Sequence, residues 1–283
     1  MRFTRPLLLV LVVVLQGATL TTAQVNWMSP LHEPGVSLEI TKTNFSGGTD
    51  FAFLTNQFSL SARIALGRNL FGLVEVPYMH IGFKERWYDG SSNLLVRNFS
   101  QSTFGNPYFG IEFGGRGTGP RLRMGGRVPL TDGDDIYATN FGQYATFDRE
   151  ETFVPDLYSL QAAFGYIKTG PSEYRASIFV GPLIMLPRYD GEDTEVMAEF
   201  AAELWGEGRL VQAGIGYHLR YLCTESSWSF NRCMEHQFGV TTVATIGAVH
   251  PGLHFRFPLD KGINYGIEMT YGFNLTVDLP ASD

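Results

Sequence analysis

The sequence is poor in cysteine, in charged residues and in long apolar runs, and each shortage excludes a class of protein. Only 2 of its 283 residues are cysteine, and 17% are charged, against roughly 25% in an ordinary soluble domain. The formal net charge is −7 and no basic cluster occurs, which argues against a partner made of nucleic acid. After the first 23 residues, no stretch approaches the ~18 consecutive apolar residues of a membrane-spanning helix. We therefore expect neither a nucleic-acid-binding protein nor a helical membrane protein.

Glycine and aromatic residues are abundant instead. The chain contains 32 glycines, and aromatic side chains account for 14% of the residues. Glycine permits tight turns, and aromatic side chains favour strands. This composition predicts an all-β fold with many strands.

The first 23 residues have the three parts of a secretory signal peptide. Arg2 and Arg5 supply positive charge, Leu7–Leu15 is apolar, and Thr21-Thr22-Ala23 offers a cleavage site with small residues. We expect residues 1–23 to be removed and residues 24–283 to form one domain. A retained helical anchor is the alternative, but the apolar run is short for one.

The segment Ile263–Val277 alternates between apolar and polar side chains. Its apolar positions are Ile263, Tyr265, Ile267, Met269, Tyr271, Phe273, Leu275 and Val277. Because successive side chains of a strand point to opposite faces, the segment predicts a long strand with one apolar side. Its length reaches the ~9–11 residues of a strand that crosses a membrane.

Similar strand-like runs recur along the chain from Gly35 onward, and their connections alternate in length. Short turns follow Leu66, Gly114, Lys168, Trp205 and Gly247, long connections follow Phe83, Leu130, Met185 and Leu222, and two further short breaks follow Phe45 and Pro258. We predict an all-β, closed, antiparallel up-and-down transmembrane β-barrel of about 12 strands, with short periplasmic turns and long extracellular loops. A secreted soluble β-protein is the alternative, since its strands would also alternate.

Charged residues fall on the polar face of these strands and would line the lumen of such a barrel. They are Arg63, Glu75, Glu112, Arg121, Arg123, Arg127, Arg175, Glu195, Glu199, Glu203, Arg220, Arg256 and Glu268, and His218 lies in the same phase. One interpretation is a charged constriction that selects solutes. The other is a set of ion pairs that hold neighbouring strands together and fill a narrow lumen.

The two cysteines, Cys223 and Cys233, lie in one polar segment. The oxidising compartment to which a secretory signal leads favours a local disulfide between them, and two free thiols are the alternative. Their spacing matches no zinc site and no second ligand pair exists, so we predict no metal and no cofactor.

Enzymatic activity is not expected from the sequence. His80 shares the apolar phase of its strand with Tyr78, where a lipase-type barrel could place a catalytic histidine. No nucleophile motif accompanies it. An ordinary histidine at the membrane interface is the simpler interpretation.

Several segments resemble known outer-membrane proteins. Tyr265–Tyr271, which reads YGIEMTY, resembles the C-terminal sorting signal of bacterial outer-membrane β-barrels, although the chain continues to Asp283 instead of ending on an aromatic residue. The segments Leu73–Tyr78, Phe104–Glu112 and Gly126–Asp134 resemble the family of outer-membrane transporters linked to phenol-degradation pathways. The resemblance implies a Gram-negative outer membrane, insertion by the barrel-assembly machinery, and transport of hydrophobic or aromatic compounds.

Together these features predict an outer-membrane channel or transporter for small solutes. Its expected partners are the lipid bilayer, the assembly machinery and the solute. Two other functions stay open: a structural or surface-interaction barrel with a filled lumen, and a membrane-embedded hydrolase.

Overall fold

The structure is a computed structural model of the chain. It describes residues 34–45, 55–88, 94–115, 117–170, 173–188, 193–224, 233–260 and 267–279. The predicted signal peptide (1–23) and the first residues of the predicted closing strand (263–266) lie outside the described residues.

The described residues are mostly strands, with one α-helix and one short 3-10 helix in the connection between β6 and β7. The strands are β1 (Gly35–Phe45), β2 (Asn56–Gly67), β3 (Leu70–Tyr88), β4 (Leu94–Phe104), β5 (Tyr108–Phe113), β6 (Gly119–Arg127), β7 (Leu157–Gly170), β8 (Tyr174–Pro187), β9 (Glu195–Glu207), β10 (Val211–Leu222), β11 (Met234–Ala244), β12 (Val249–Pro258) and β13 (Ile267–Asp278). The helices are α1 (Ile136–Ala145) and the 3-10 helix (Phe147–Thr152). Neither helix has the length and apolar character needed to cross a membrane.

The strands form one antiparallel sheet that closes on itself. Except for β4 and β5, each strand pairs with its neighbours in the chain, and the β1–β13 pairing closes the sheet into a circle. β5 pairs with the first part of β3 and β4 with the second part, so β4 and β5 act as one interrupted strand. The barrel therefore has 12 strand positions, and the predicted closed antiparallel barrel is confirmed.

The alternation of side chains over Thr103–Gly114 predicts one continuous strand, but the structure interrupts it between β4 and β5. Residues 105–107 leave the ladder. Pro107 has no N–H group to donate to a neighbouring strand. The backbone N–H of Asn106 donates instead to the carbonyl oxygen of Thr152, at 2.6 Å.

The long loop predicted after Phe83, over Lys84–Ser102, is wrong in its described parts, residues 84–88 and 94–102. β3 continues to Tyr88, and β4 returns from Leu94 in unbroken antiparallel register with it. The rings of Phe83 and Phe99 contact each other across this hairpin, with centroids 5.0 Å apart. Cross-strand pairing of this kind stabilises strands whose polar composition alone favours a loop.

The two faces of the sheet have opposite character. Large apolar side chains on the outer face are exposed, among them Leu60, Ile64, Phe104, Phe109, Phe164, Val180 and Phe273. Polar and charged side chains on the inner face are buried, which is the reverse of a soluble β-sandwich. An apolar outer band around a polar interior is typical of barrels that sit in lipid.

Candidate functional site

The connection between β6 and β7 turns back into the barrel and occupies part of its lumen. We call residues 128–156 the inserted segment; it contains α1 and the 3-10 helix. Its buried polar side chains include Asp148, Arg149, Glu151 and Thr152. The sequence predicted this stretch as a long external loop, and the contacts below place its second half against the inner wall instead.

Arg149 is the centre of the contact between the inserted segment and the wall. Its Nη1 atom lies 3.1 Å from Oε1 of Glu75 on β3, and its Nη2 atom lies 3.3 Å from Oε2 of Glu39 on β1. Burial lowers the pKa of Arg149, but the carboxylates of Glu75 and Asp148 outweigh this effect and hold the pKa above its ordinary value. The guanidinium group thus bridges two strands while it stays charged.

Asp148 extends the same network towards β12. Its Oδ2 atom lies 3.3 Å from Nη1 of Arg256, and Arg256 also bonds to Glu39. Burial raises the pKa of Asp148, but the guanidinium groups of Arg256 and Arg149 outweigh it and keep the pKa below its ordinary value. The carboxylate therefore stays ionised at neutral pH.

Glu151 fixes the end of the 3-10 helix to two further strands. Its Oε2 atom accepts from Nη2 of Arg220 on β10 at 2.9 Å, and its Oε1 atom lies 3.5 Å from Nε of Arg127 on β6. Nε of Arg220 also donates to Glu199 on β9 at 2.8 Å. The short helix thus joins opposite parts of the barrel wall through charged groups.

Asn106, at the β4–β5 break, holds both ends of the inserted segment at once. Its Oδ1 atom accepts from the backbone N–H groups of Leu130 and Thr131, at 2.8 and 3.0 Å. Its Nδ2 group donates to the carbonyl oxygens of Glu151 and Val154, at 3.0 and 2.7 Å. The side chain is fully buried and uses all four bonds that an amide can make.

Gly105 allows this close approach. A Cβ atom at position 105 would lie 2.7 Å from the carbonyl oxygen of Thr152 and 2.9 Å from the ring of Phe153. A larger residue would therefore push the inserted segment away from the wall.

A second charged cluster lies nearer the β2–β3 turn. Glu112 accepts from Arg63 at 2.8 Å, bonds to Arg123, and lies 3.8 Å from Nε of Arg121. The Arg63 guanidinium stacks 3.5 Å above the centre of the Phe71 ring. Such stacking lets a charged group pack in a narrow lumen.

The predicted lumen residues fall into three groups. Arg63, Glu75, Glu112, Arg121, Arg127, Arg175, Glu199, His218, Arg220 and Arg256 are buried inside the barrel, Arg123 and Glu203 are partly buried there, and Glu195 and Glu268 are exposed. Glu195 is the first residue of β9 and Glu268 the second of β13, so both lie at strand ends open to solvent. Both keep the inner phase of their strands, so their position in the lumen stays a prediction.

Glu39, Asn106, Asp148, Arg149 and Glu151 were missed by the sequence analysis. Glu39 follows the same alternation as its neighbours, so the phase of β1 could have revealed it. The run from Asp148 to Glu151 contains both acidic and basic residues within a predicted loop, and this mixture is the sequence feature that could have indicated buried ion pairs.

The predicted disulfide is wrong. Cys223 and Cys233 are not bonded to each other. The carbonyl oxygen of Cys233 accepts from the N–H group of Leu222, so Cys233 is the register partner of Leu222 and not of Cys223. Because neighbouring residues of a strand point to opposite faces, one cysteine is exposed and the other buried.

Comparison with known proteins supports the fold. No protein-family model matches the chain, and no curated protein matches it in sequence. Among solved structures, the COG4313 outer membrane channel from Pseudomonas putida F1 is similar, with a TM-score of 0.52, 10% identity, and coverage of 89% of this chain and 98% of that one. LpxR from Salmonella typhimurium aligns with a TM-score of 0.49, 7% identity, and coverage of 87% and 100%. The fold is thus that of outer-membrane β-barrels, and the resemblance to the phenol-degradation transporters is not confirmed.

Proposed function

We propose that this chain is an outer-membrane channel for small solutes, closed here by its inserted segment and opened when that segment moves. The observation that carries the proposal is the polar attachment of the 3-10 helix. Arg149 and Glu151 join it to the wall through ion pairs, and Asn106 holds its end through hydrogen bonds. When the 3-10 helix leaves the wall, its ion pairs and hydrogen bonds can be replaced by hydrogen bonds to water, whereas the contacts of a packed apolar core have no such replacement.

The helix α1 gives the inserted segment a fixed end. Ala138 and Phe153 pack with Met79 and Ile81 of β3 in one buried apolar cluster. The backbone N–H groups at the start of α1 donate to Oε1 of Gln101. We infer that α1 and Phe153, which directly follows the 3-10 helix, stay on the β3–β4 wall while the polar 3-10 helix between them swings away from the lumen.

The lumen lining favours a small polar or charged solute. Serine, threonine, glutamine, arginine and glutamate side chains dominate its buried inner face. Charged rings of this kind select ions and polar solutes by sign. The similar Pseudomonas structure is described as an outer membrane channel, which supports a conducting role here too.

Planar-bilayer recordings test the channel proposal. The wild-type barrel should stay closed most of the time, and a variant in which a short Gly/Ser linker replaces residues 134–150 should conduct steadily, since the network around Arg149 is gone. A structural barrel with a filled lumen is the second candidate, favoured by the burial of so many inner side chains. No current from the folded linker variant would refute the channel and leave that second candidate.

Glu150 should make channel opening depend on pH. Burial raises the pKa of Glu150, Arg220 opposes the rise, and Glu151 and Glu195 add to it, which leaves the pKa above its ordinary value. A carboxyl group with a raised folded-state pKa stabilises the closed state when protonated, and this contribution is lost as the pH rises through that pKa. We expect more frequent openings in alkaline than in acidic solution.

The Glu150→Gln variant should remove this dependence, because its amide stays uncharged at every pH. Asp148 acts in the opposite sense. Its lowered pKa stabilises the closed state above about pH 3.9, and this contribution is lost as the pH falls below that value. Unchanged pH dependence in Glu150→Gln would assign the effect to another group.

A further inference from the structure

A histidine and a serine form a hydrogen-bonded pair on the outer face of the barrel, away from the lumen. Nδ1 of His80 on β3 lies 2.7 Å from Oγ of Ser102 on β4. Their neighbours in the same phase, Tyr78 and Phe104, point outward and contact each other with ring centroids 5.2 Å apart. His80 and Ser102 therefore face the surroundings of the barrel, and both are partly exposed.

Aromatic side chains flank this pair on the outer face, as they do where barrels meet the boundary between lipid and water. Tyr78 also contacts Phe58 on β2, with ring centroids 6.0 Å apart, and Phe104 is 53% exposed. Tyrosine and other aromatic side chains concentrate at membrane interfaces. His80 and Ser102 follow this group along β3 and β4, so they lie close to the level at which these aromatic rings would meet a lipid–water interface.

The register brings three polar side chains side by side. Asn56 on β2 is the partner of His80, and His80 is the partner of Ser102 on β4. All three lie on the outer face, with the histidine in the middle. A base between a hydroxyl group and an orienting amide is the arrangement that activates a serine nucleophile.

The backbone at Ser102 offers a hydrogen-bond donor to a substrate. The N–H group of Gly105 donates to the carbonyl oxygen of Pro77, which makes this pair a hydrogen-bonding one. Antiparallel ladders alternate, so Ser102 and His80 form a non-hydrogen-bonded pair with close side chains. The Ser102 N–H group then points to the other edge of β4, where the described residues supply no paired strand.

We propose that Asn56, His80 and Ser102 form an esterase site that cleaves acyl esters of outer-leaflet lipids. The site depends on the membrane setting of the barrel but not on conduction through its lumen. It departs from the expectation that the chain is not an enzyme. That expectation looked for a local nucleophile motif, whereas strand pairing brings together residues that are distant in the sequence.

The reaction proceeds in two balanced steps. The Ser102 oxygen attacks the ester carbonyl carbon while His80 takes the hydroxyl proton, and the N–H group at the edge of β4 stabilises the oxyanion. The carbon–oxygen bond to the alcohol breaks, and His80 returns the proton to that alcohol. Water then attacks the acyl-serine with His80 as base, which releases the fatty acid and restores Ser102.

Covalent labelling tests the nucleophile. The folded barrel in detergent is treated with a fluorophosphonate probe, which modifies activated serines. We expect labelling of the wild type and at least a 100-fold loss in Ser102→Ala and His80→Ala. Ser100→Ala is the matched control, because Ser100 is an exposed serine on the same outer face and pairs with Gly82 instead of a histidine.

Fatty-acid release tests the substrate class. Mixed micelles of phosphatidylethanolamine form one arm and purified lipopolysaccharide the other, so the arm that releases fatty acid identifies the source of the ester. Asn56 is a positioning residue: Asn56→Ala should lower kcat about 10-fold with little change in KM, and Asn56→Asp should restore it.

Heat-dependent mobility on gels shows that each variant is folded. No probe labelling and no fatty-acid release from folded wild-type barrel, or equal activity in Ser102→Ala, would overturn the proposal. Either result would leave the channel proposal untouched, since Ser102 faces away from the lumen.

Discussion

Replacing Asn106 with alanine should release the inserted segment and turn a closed barrel into a conducting one. The change removes four hydrogen bonds and leaves the N–H groups of Leu130 and Thr131 and the carbonyl oxygens of Glu151 and Val154 without this partner. Each buried polar group that loses its partner costs roughly 1–3 kcal/mol, so the segment loses several kcal/mol of its attachment. Openings in planar bilayers should then dominate the recordings, whereas the wild type is mostly closed.

Asn98→Ala is the matched control for this experiment. Asn98 is an exposed asparagine on β4, the strand that precedes the break at Asn106. Its loss should leave both conductance and stability unchanged. An Asn106→Ala barrel that folds and stays as closed as the wild type would show that Asn106 does not hold the segment.

The Arg149→Ala variant should lower the stability of the closed barrel. It removes the positive charge shared by Glu39, Glu75 and Asp148, three carboxylates that lie in the barrel interior. Breaking a buried ion pair by removing one partner costs about 3–5 kcal/mol. We expect a loss of this size in the free energy of unfolding measured in urea, and the 3-10 helix should detach from the barrel wall.

The surface pair Arg188–Asp156 supplies the control for Arg149. Their atoms lie 3.2 Å apart, but the Arg188 side chain is half-exposed. Exposed pairs contribute about 0–1 kcal/mol, so Arg188→Ala should change stability little. Equal losses in the two variants would mean that the charge network around Arg149 does not stabilise the closed barrel.

Acid should weaken the same network, and the sign follows from Asp148. Its pKa lies below the ordinary value, so its stabilising contribution is present above about pH 3.9 and is lost as the pH falls further. The difference in stability between wild type and Arg149→Ala should therefore shrink in strong acid. Urea unfolding at low pH measures this difference.

The barrel itself could be predicted because its signal repeats along every strand. The alternation of apolar and polar residues at Phe58–Leu66 and Leu210–Leu222 predicts strands with one apolar and one polar face. The alternation of short and long connections predicts which strand ends lie on the periplasmic side. A period-2 pattern fixes which face a residue occupies even when its partner strand is unknown. The inner phase of Arg63, Arg127 and Arg220 followed from this alone.

The inserted segment could not be predicted in the same way. Asp148 and Arg149 lie in a connection with no strand period, so the sequence does not show whether they face solvent or the lumen. Their position depends on contacts with residues distant in the chain, because Arg149 pairs with Glu39 and Asn106 holds the neighbouring Glu151. The pairing of His80 with Ser102 was hidden for the same reason, because Ser102 was placed in a loop.

Thiol labelling of the inserted segment tests the central claim, that this connection lies inside the lumen and closes it. In a background with Cys223→Ser and Cys233→Ser, single cysteines are placed by Thr152→Cys, at a fully buried position, and by Ile136→Cys, at a position 59% exposed. A membrane-impermeant maleimide should label position 136 rapidly and position 152 hardly at all, and adding Asn106→Ala should make position 152 reactive. Equal, rapid labelling at both positions in the otherwise unchanged barrel would contradict the account.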